Sequence, residues 1–305
     1  MNELGLEGKD KLPGLYQSAD TASITGRRHY FRAFGLRLVF VALAATASAM
    51  PLGHLGELEV SPLLTAILFF AAISVEIWLL QEKPTEAWYD GRALAESTKT
   101  LAWRYAVRGK PFDISDSDAD VRIVSDLRNL LADAPDTSIE PSSAPVITEA
   151  MKALRKSSLT DRREIYLRDR VEDQQSWYHD KAKQNSVRAR RWRLTLIVAE
   201  SLGVVAAGIK AFTAVPIDLA GLVAAAVAAG AAWLAAQQHD SLARAYTFAA
   251  EELNIVRDEL RHVISQEEWS QKMADAEEAI SREHTMWRAS RCSPSFARRL
   301  RRFPK

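Results

Sequence analysis

A single cysteine, Cys292, occurs among 305 residues. This excludes a disulfide framework and any multi-cysteine metal site, and it suits a plain thiol in a reducing cytosol. No Gly-rich phosphate loop, metal-spaced His/Cys set or nucleophile elbow occurs either, so the chain reads as non-enzymatic, without catalytic residues, cofactor or metal. An excess of charge of one sign is missing too, since 40 Lys and Arg face 39 Asp and Glu. A dedicated nucleic-acid binder needs a clustered basic footprint, and no nucleic-acid partner is expected. Two partial motifs fail on their own residues. Asp116 to Asp120 imitates the start of a calcium loop, but Val121 stands where that loop needs Gly and Leu127 where it needs Glu, which leaves an acidic helix N-terminus. His239-Asp240 resembles a metal phosphohydrolase pair, yet the other histidines are scattered and offer no second ligand group.

What the chain does have is four hydrophobic runs: Leu38 to Leu55, Leu63 to Leu80, Leu194 to Phe212 and Leu219 to Ala236, each 18 or 19 residues long. At ~1.5 Å per residue each helix reaches roughly 27 Å, close to the hydrocarbon thickness of a bilayer. The first run is the weakest, broken by Pro51 and Gly53, and its helix is placed at about Gly35 to Leu52. Arg27, Arg28, Arg32 and Arg37 precede the first span, and Arg188, Arg190, Arg191 and Arg193 precede the third. The Pro51–Pro62 connector carries Glu57 and Glu59 but no Lys or Arg, and the turn around Thr213 to Pro216 is too short for a domain. Because Lys and Arg stay on the cytoplasmic side, both hairpins point outward and both termini lie in the cytoplasm. Two rival readings remain at this point. Arg27 to Ala49 has the shape of a signal peptide ending in Ala47-Ser48-Ala49, and the four runs could instead be buried helices of a soluble bundle.

The runs belong to a unit that occurs twice: an arginine-rich lead, a hairpin, and a charged amphipathic helix. Superposing Trp78 on Trp233 brings Ala95-Glu96-Ser97 opposite Ala250-Glu251-Glu252 without a gap. The units run over residues 27–133 and 158–264, with a flexible segment at 1–26, a linker at 134–157, and a C-terminal helix with a basic tail at 265–305. Pro84 opens the helix after the first hairpin. Ser158 with Asp161, and Ser265 with Glu268, have the spacing of capping boxes. No Gly or Pro interrupts the chain from Ser158 to Gly203, which predicts one continuous helix entering the third span. Leu242, Ala245, Ala249, Leu253, Val256, Leu260 and Val263 form an apolar stripe suited to a coiled-coil seam, within the chain or between copies. Arg298, Arg299, Arg301, Arg302 and Lys305 close the chain as a solvated tail or a contact for anionic headgroups.

Glu200 lies seven residues into the third span, roughly 10 Å along the helix from Arg193. An ionised carboxylate facing lipid there is costly, so Glu200 must line an aqueous path, pair with another helix or hold a proton. Glu76, Lys210 and Asp218 lie near span ends and are expected to be satisfied locally, the last two by snorkelling or by pairing. Gly203 with Ala207, and Ala226 with Gly230, are small-xxx-small pairs that permit close helix approach.

The segment from Glu86 to Tyr105, EAWYDGRALAESTKTLAWRY, resembles the helix after the hairpin in the SLATT group. These are bacterial two-transmembrane domains named for association with SMODS nucleotidyltransferases and SLOG nucleotide-sensing domains. The second unit, from about Tyr166 to Leu260, is similar to another member of that group, chiefly in architecture. The resemblance implies a membrane effector of antiphage or conflict defence that forms or gates a pore when a nucleotide-linked sensor or signal triggers it. It also implies Arg92, Glu96, Lys99 and Trp103 as a structural or interaction patch, and it supplies no catalytic residue. The expected fold is therefore all-α: an integral membrane protein with two transmembrane helical hairpins, four spans in all, and long cytoplasmic amphipathic or coiled-coil-like helices. The expected partners are the lipid bilayer, further copies of the same chain in a homo-oligomer, and a nucleotide-linked sensor. A non-conducting membrane scaffold that recruits a cytoplasmic partner is the alternative. A solute transporter fits less well, because the repeat is parallel and its spans lack the broken segments of such pockets.

Overall fold

Pro13 sets the entry to the first helix. In the computed structural model, which describes residues 5–134, 139–213 and 217–289, its carbonyl accepts from the amides of Tyr16 and Gln17. Helix α1 then runs Gly14–Ala49 and stops short of Pro51, which lacks the amide needed to continue it. The segment before residue 27, expected to be flexible, is thus helical from Gly14 and buries Leu6, Leu12 and Ala19. Its apolar residues are too sparse to announce this in the sequence. Strands β1 (His54–Leu55) and β2 (Leu58–Glu59) pair antiparallel across Gly56, whose φ of 64° suits a residue without Cβ. Helix α2, Val60–Glu82, returns through the apolar layer. The turn at 214–216, Cys292 and the basic tail fall outside the described residues.

Helix α3, Pro84–Ala106, follows α2 through Lys83, which adopts φ 43° and donates its amide to the Leu79 carbonyl. The second copy breaks in the same way. Between α8 (Leu219–Gln237) and α9 (His239–Arg261), Gln238 adopts φ 52° and donates to the Leu234 carbonyl. Each left-handed residue lies five positions beyond its tryptophan, Trp78 or Trp233, so the register of the repeat extends to the backbone.

Ser115 caps α4, Asp116–Ala132, by accepting the Asp118 amide. Thr148 caps α5, Glu149–Lys156, in the same manner. Helix α5 lies inside the stretch expected to be linker, because a helix of eight residues is too short for a period to stand out in sequence. Its Arg155 is nearly inaccessible and donates to the carbonyls of Tyr105, Phe112 and Ile114, each at 2.9 Å, which pins the loop between α3 and α4. Helix α6, Leu159–Tyr166, passes through a π-helical turn at Leu167–Glu172 into α7, Asp173–Phe212, and no break interrupts the course. Helix α10, Gln266–Ala289, starts at Ser265, whose hydroxyl accepts the Glu268 amide.

The chain divides into two compact bodies. One holds residues 27–84 and 181–244, the spans of both copies. The other holds residues 1–26, 85–180 and 245–305, the polar helices of both copies. The two sequence units therefore interleave, each contributing to each body.

In the span body, at most 11% of any apolar window is buried within the chain, and for the third and fourth spans the figure is 0%. A water-soluble bundle would bury these residues, so lipid is their solvent and the soluble-bundle reading is excluded. Close contacts run from helix to helix. A Cβ on Gly203 would lie 3.2 Å from Val223, and one on Gly230 would lie 3.0 Å from Leu196, so both small-residue positions join α7 to α8. Gly35 similarly admits the Trp233 ring against α1. Trp78 meets His29 edge-on at 6.4 Å, and Trp233 meets Phe31 and Phe34 at 5.8 and 6.4 Å. Both tryptophans thus sit at one level of α1, which places the arginine-bearing ends of the two hairpins on the same side.

The polar body closes on a core containing Trp103, Tyr166 and Trp269, which meet edge to face at 5.6 and 5.8 Å. Such pairs add ~1 kcal/mol each beyond area burial. Where α3 crosses α1, a Cβ on Gly91 would come within 2.9 Å of the Ala19 carbonyl and the Ser23 amide. Neither backbone atom can step aside, so Gly91→Ala is expected to cost ~1–3 kcal/mol. Thermal unfolding in detergent checks this, with Gly208→Ala unchanged or slightly stabilised as the control, since nothing lies within 4 Å of a Cβ there.

Candidate functional site

Among the polar residues of the span body, Glu76 on α2 faces Arg37 on α1 at 2.9 Å, both about 40% exposed. The pair is an ion pair by distance without hydrogen-bond alignment. Lys210 of α7 meets Asp218, the residue before α8, at 2.8 Å. Glu200 differs. It is exposed on α7, flanked by Ile197 and Val204 at 56% and 74% exposure, and has no ion-pair or hydrogen-bond partner among the described residues.

In the polar body, Arg92, Glu96, Lys99 and Trp103 recur at helical spacing along one face of α3. Arg92 pairs with Glu96 at 2.9 Å, and Trp103 is 1% exposed in the core. Below them lies an ion pair that local sequence does not reveal. Arg170, on the π-turn, grips Glu277 of α10 through two bonds of 2.9 and 2.8 Å, with both side chains fully inaccessible. Thr100 and Tyr166 donate to the same carboxylate at 2.8 and 2.9 Å. Four donors on one carboxylate satisfy its lone pairs, which is the condition for a buried ion pair to be tolerated. Burial alone would raise the Glu277 carboxyl, but the Arg170 charge and these hydrogen bonds outweigh it and hold the group below the usual carboxylate range. The residues 170 and 277 are far apart in sequence, which hid the pair. The one available signal was Glu277 standing four residues after Met273 and three before Ile280 on the buried face of α10.

The remaining sequence candidates are placed as follows. In the stripe, Ala249, Leu253 and Leu260 of α9 and Val263 just beyond it are buried in the polar core, Ala245 and Val256 are half-buried, and Leu242 is half-buried in the span body. The stripe is used within the chain, and Phe248 and Ile255, 72% and 63% exposed, lie on α9 outside it. His239 is buried and bonds Asn185 through Nδ1 at 2.7 Å, while Asp240 pairs with Arg193. Asp116 bonds Arg108 and Arg155 at 2.8 and 2.9 Å, and Asp120 accepts from the Tyr105 hydroxyl. The acidic run therefore serves helix α4 and its loop.

Two family models match this chain. The one described as SMODS and SLOG-associating 2TM effector domain 3 covers residues 13–163, and the one described as SMODS and SLOG-associating 2TM effector domain 1 covers residues 166–287. Their boundary falls at the entry to the π-turn. Nothing among curated proteins or solved structures matches the chain.

Breaking the buried pair from one side leaves an uncompensated charge, so Glu277→Leu is expected to cost ~3–5 kcal/mol, and adding Arg170→Met to restore most of it. Because the folded carboxyl titrates low, its contribution is complete above pH ~4.3 and disappears as the pH falls through the lower folded value. Denaturant unfolding between pH 7 and pH 3 measures both effects. The double variant is expected to lack that part of the acid sensitivity.

Proposed function

Because this chain belongs to the SMODS- and SLOG-associating two-transmembrane effector family, SLATT, and carries two of its domains in tandem, we propose that this membrane effector acts by opening a path through the bilayer. Copies of the chain assemble side by side in the bacterial inner membrane, with the polar helices and both termini in the cytoplasm. A nucleotide-linked sensor or signal of an antiphage or conflict system acts on the polar body. Helices α1 and α7 each contain residues of both bodies.

Glu200 carries this reading. A carboxylate in lipid costs ~3 kcal/mol at the centre of a span, and Arg37 and Lys210, the cations that satisfy the other intramembrane carboxylates, are already engaged. Burial of the α7 face against another copy, or around water, removes the cost. The Arg193 to Arg188 cluster below it then supplies the interfacial anchor.

Dye-loaded liposomes containing the purified protein test the proposal. The intact chain is expected to leak when activated or crowded. Glu200→Leu is expected to insert and unfold like the wild type but to leak at least about tenfold less, the factor that ~1.4 kcal/mol of lost stabilisation gives. Tight vesicles at every protein density would favour the non-conducting scaffold, for which exposed Phe248 and Ile255 offer an apolar docking face.

A further inference from the structure

A second feature lies in the polar body. A cavity of about 300 Å³ opens beside α3, and Lys9, Tyr16, Lys99, Trp103, Asp169 and Asp173 are among its walls. The neighbouring charges are matched. Lys9 meets Asp20, Arg168 grips Asp169, Arg92 meets Glu96, and Arg170 meets Glu277. The Lys99 ammonium is different: among the described residues it has no carboxylate within ion-pair range and no hydrogen-bond acceptor, yet it is mostly removed from water. Burial and the Arg170 charge push it below the usual lysine range, and Glu96 and Glu277 only partly offset this. A cation in such a place lacks a counter-ion.

At the matching register of the second copy, set by the two tryptophans, α9 carries Asn254. One wall of the cavity is the π-turn, which supplies Asp169, and such turns are frequent at functional sites. Of the acidic groups at the cavity, Asp169 is held by Arg168, while Glu7 and Asp173 are exposed at the rim, where water and salt screen them. The volume is at the small end for ligand sites, enough for a compact solute and too little for a macromolecular segment.

We propose that this cavity is a binding site for a small oxyanion, a phosphate or carboxylate group, whose charge is met by Lys99. The site stands on the polar body alone, so its failure and a failure of conduction are separate results.

The test uses the full chain in detergent, with inorganic phosphate and acetate as probes against chloride at equal ionic strength. Wild type is expected to show saturable binding of at least one probe by calorimetry. Lys99→Met is expected to lose it and Lys99→Arg to retain part of it. Lys156→Met, at an exposed position, is expected to bind as wild type does. Reductive methylation of the unmutated protein gives a reading that needs no variant: the bound anion is expected to slow labelling of Lys99 severalfold and to leave Lys156 unchanged. Preference for phosphate over acetate, or the reverse, identifies the group. Absence of saturable binding to wild type, or equal binding by Lys99→Met, overturns the proposal.

Discussion

Hydrocarbon offers the peptide backbone no hydrogen-bond partner, so a segment dissolved in it must satisfy its own amides and carbonyls. Four apolar helices in this chain do so, and the rest of the architecture follows from them. Charged side chains can remain among the spans only where they are matched, as Arg37 is to Glu76, or close to water, as Lys210 and Asp218 are. With little polar attraction available, the spans approach through small residues instead. Gly35, Gly203 and Gly230 each admit a neighbour that a Cβ would crowd. Glu200 is the exception to this economy, and it is where the functional reading begins.

Once the spans are set apart, the polar helices of both copies share one core. Their charges are buried where they can be paired, most completely at Arg170 and Glu277, and Trp103 from the first copy stacks edge-on against Tyr166 beside it. The two tandem domains are therefore not independent modules. The first copy supplies the α3 face, the second supplies the π-turn, and α10 after it closes over both.

Much of this was legible in the residues. Length and flanking arginines identified the spans, and the tryptophan register aligned the two copies, but the backbone break they share was not foreseen. Lys83 and Gln238 adopt a conformation for which glycine is the usual marker, so no residue type announced it. Glu76 and Arg37 were each visible, one as an intramembrane acid and one as a flanking base, but their pairing required knowing how α1 lies on α2. The Arg170–Glu277 pair and the fold of residues 5–26 depend on contacts between distant segments, which periodicity within one segment does not encode. Helix α5 was missed for its shortness. Asp116, by contrast, was read correctly as a helix-start residue, and its arginine partners came only with the tertiary structure.

The central claim is that lipid surrounds the spans, and spin labels placed singly along α8 test it most directly. In a chain whose Cys292 has been replaced, labels at Ala224, Ala228 and Ala231, all exposed in the structure, report collisions with oxygen, which enters lipid, and with a polar nickel chelate, which does not. In reconstituted bilayers the account predicts frequent oxygen collisions and few nickel collisions at all three positions. Nickel collisions exceeding those with oxygen, or shielding of all three labels from both reagents, would contradict it.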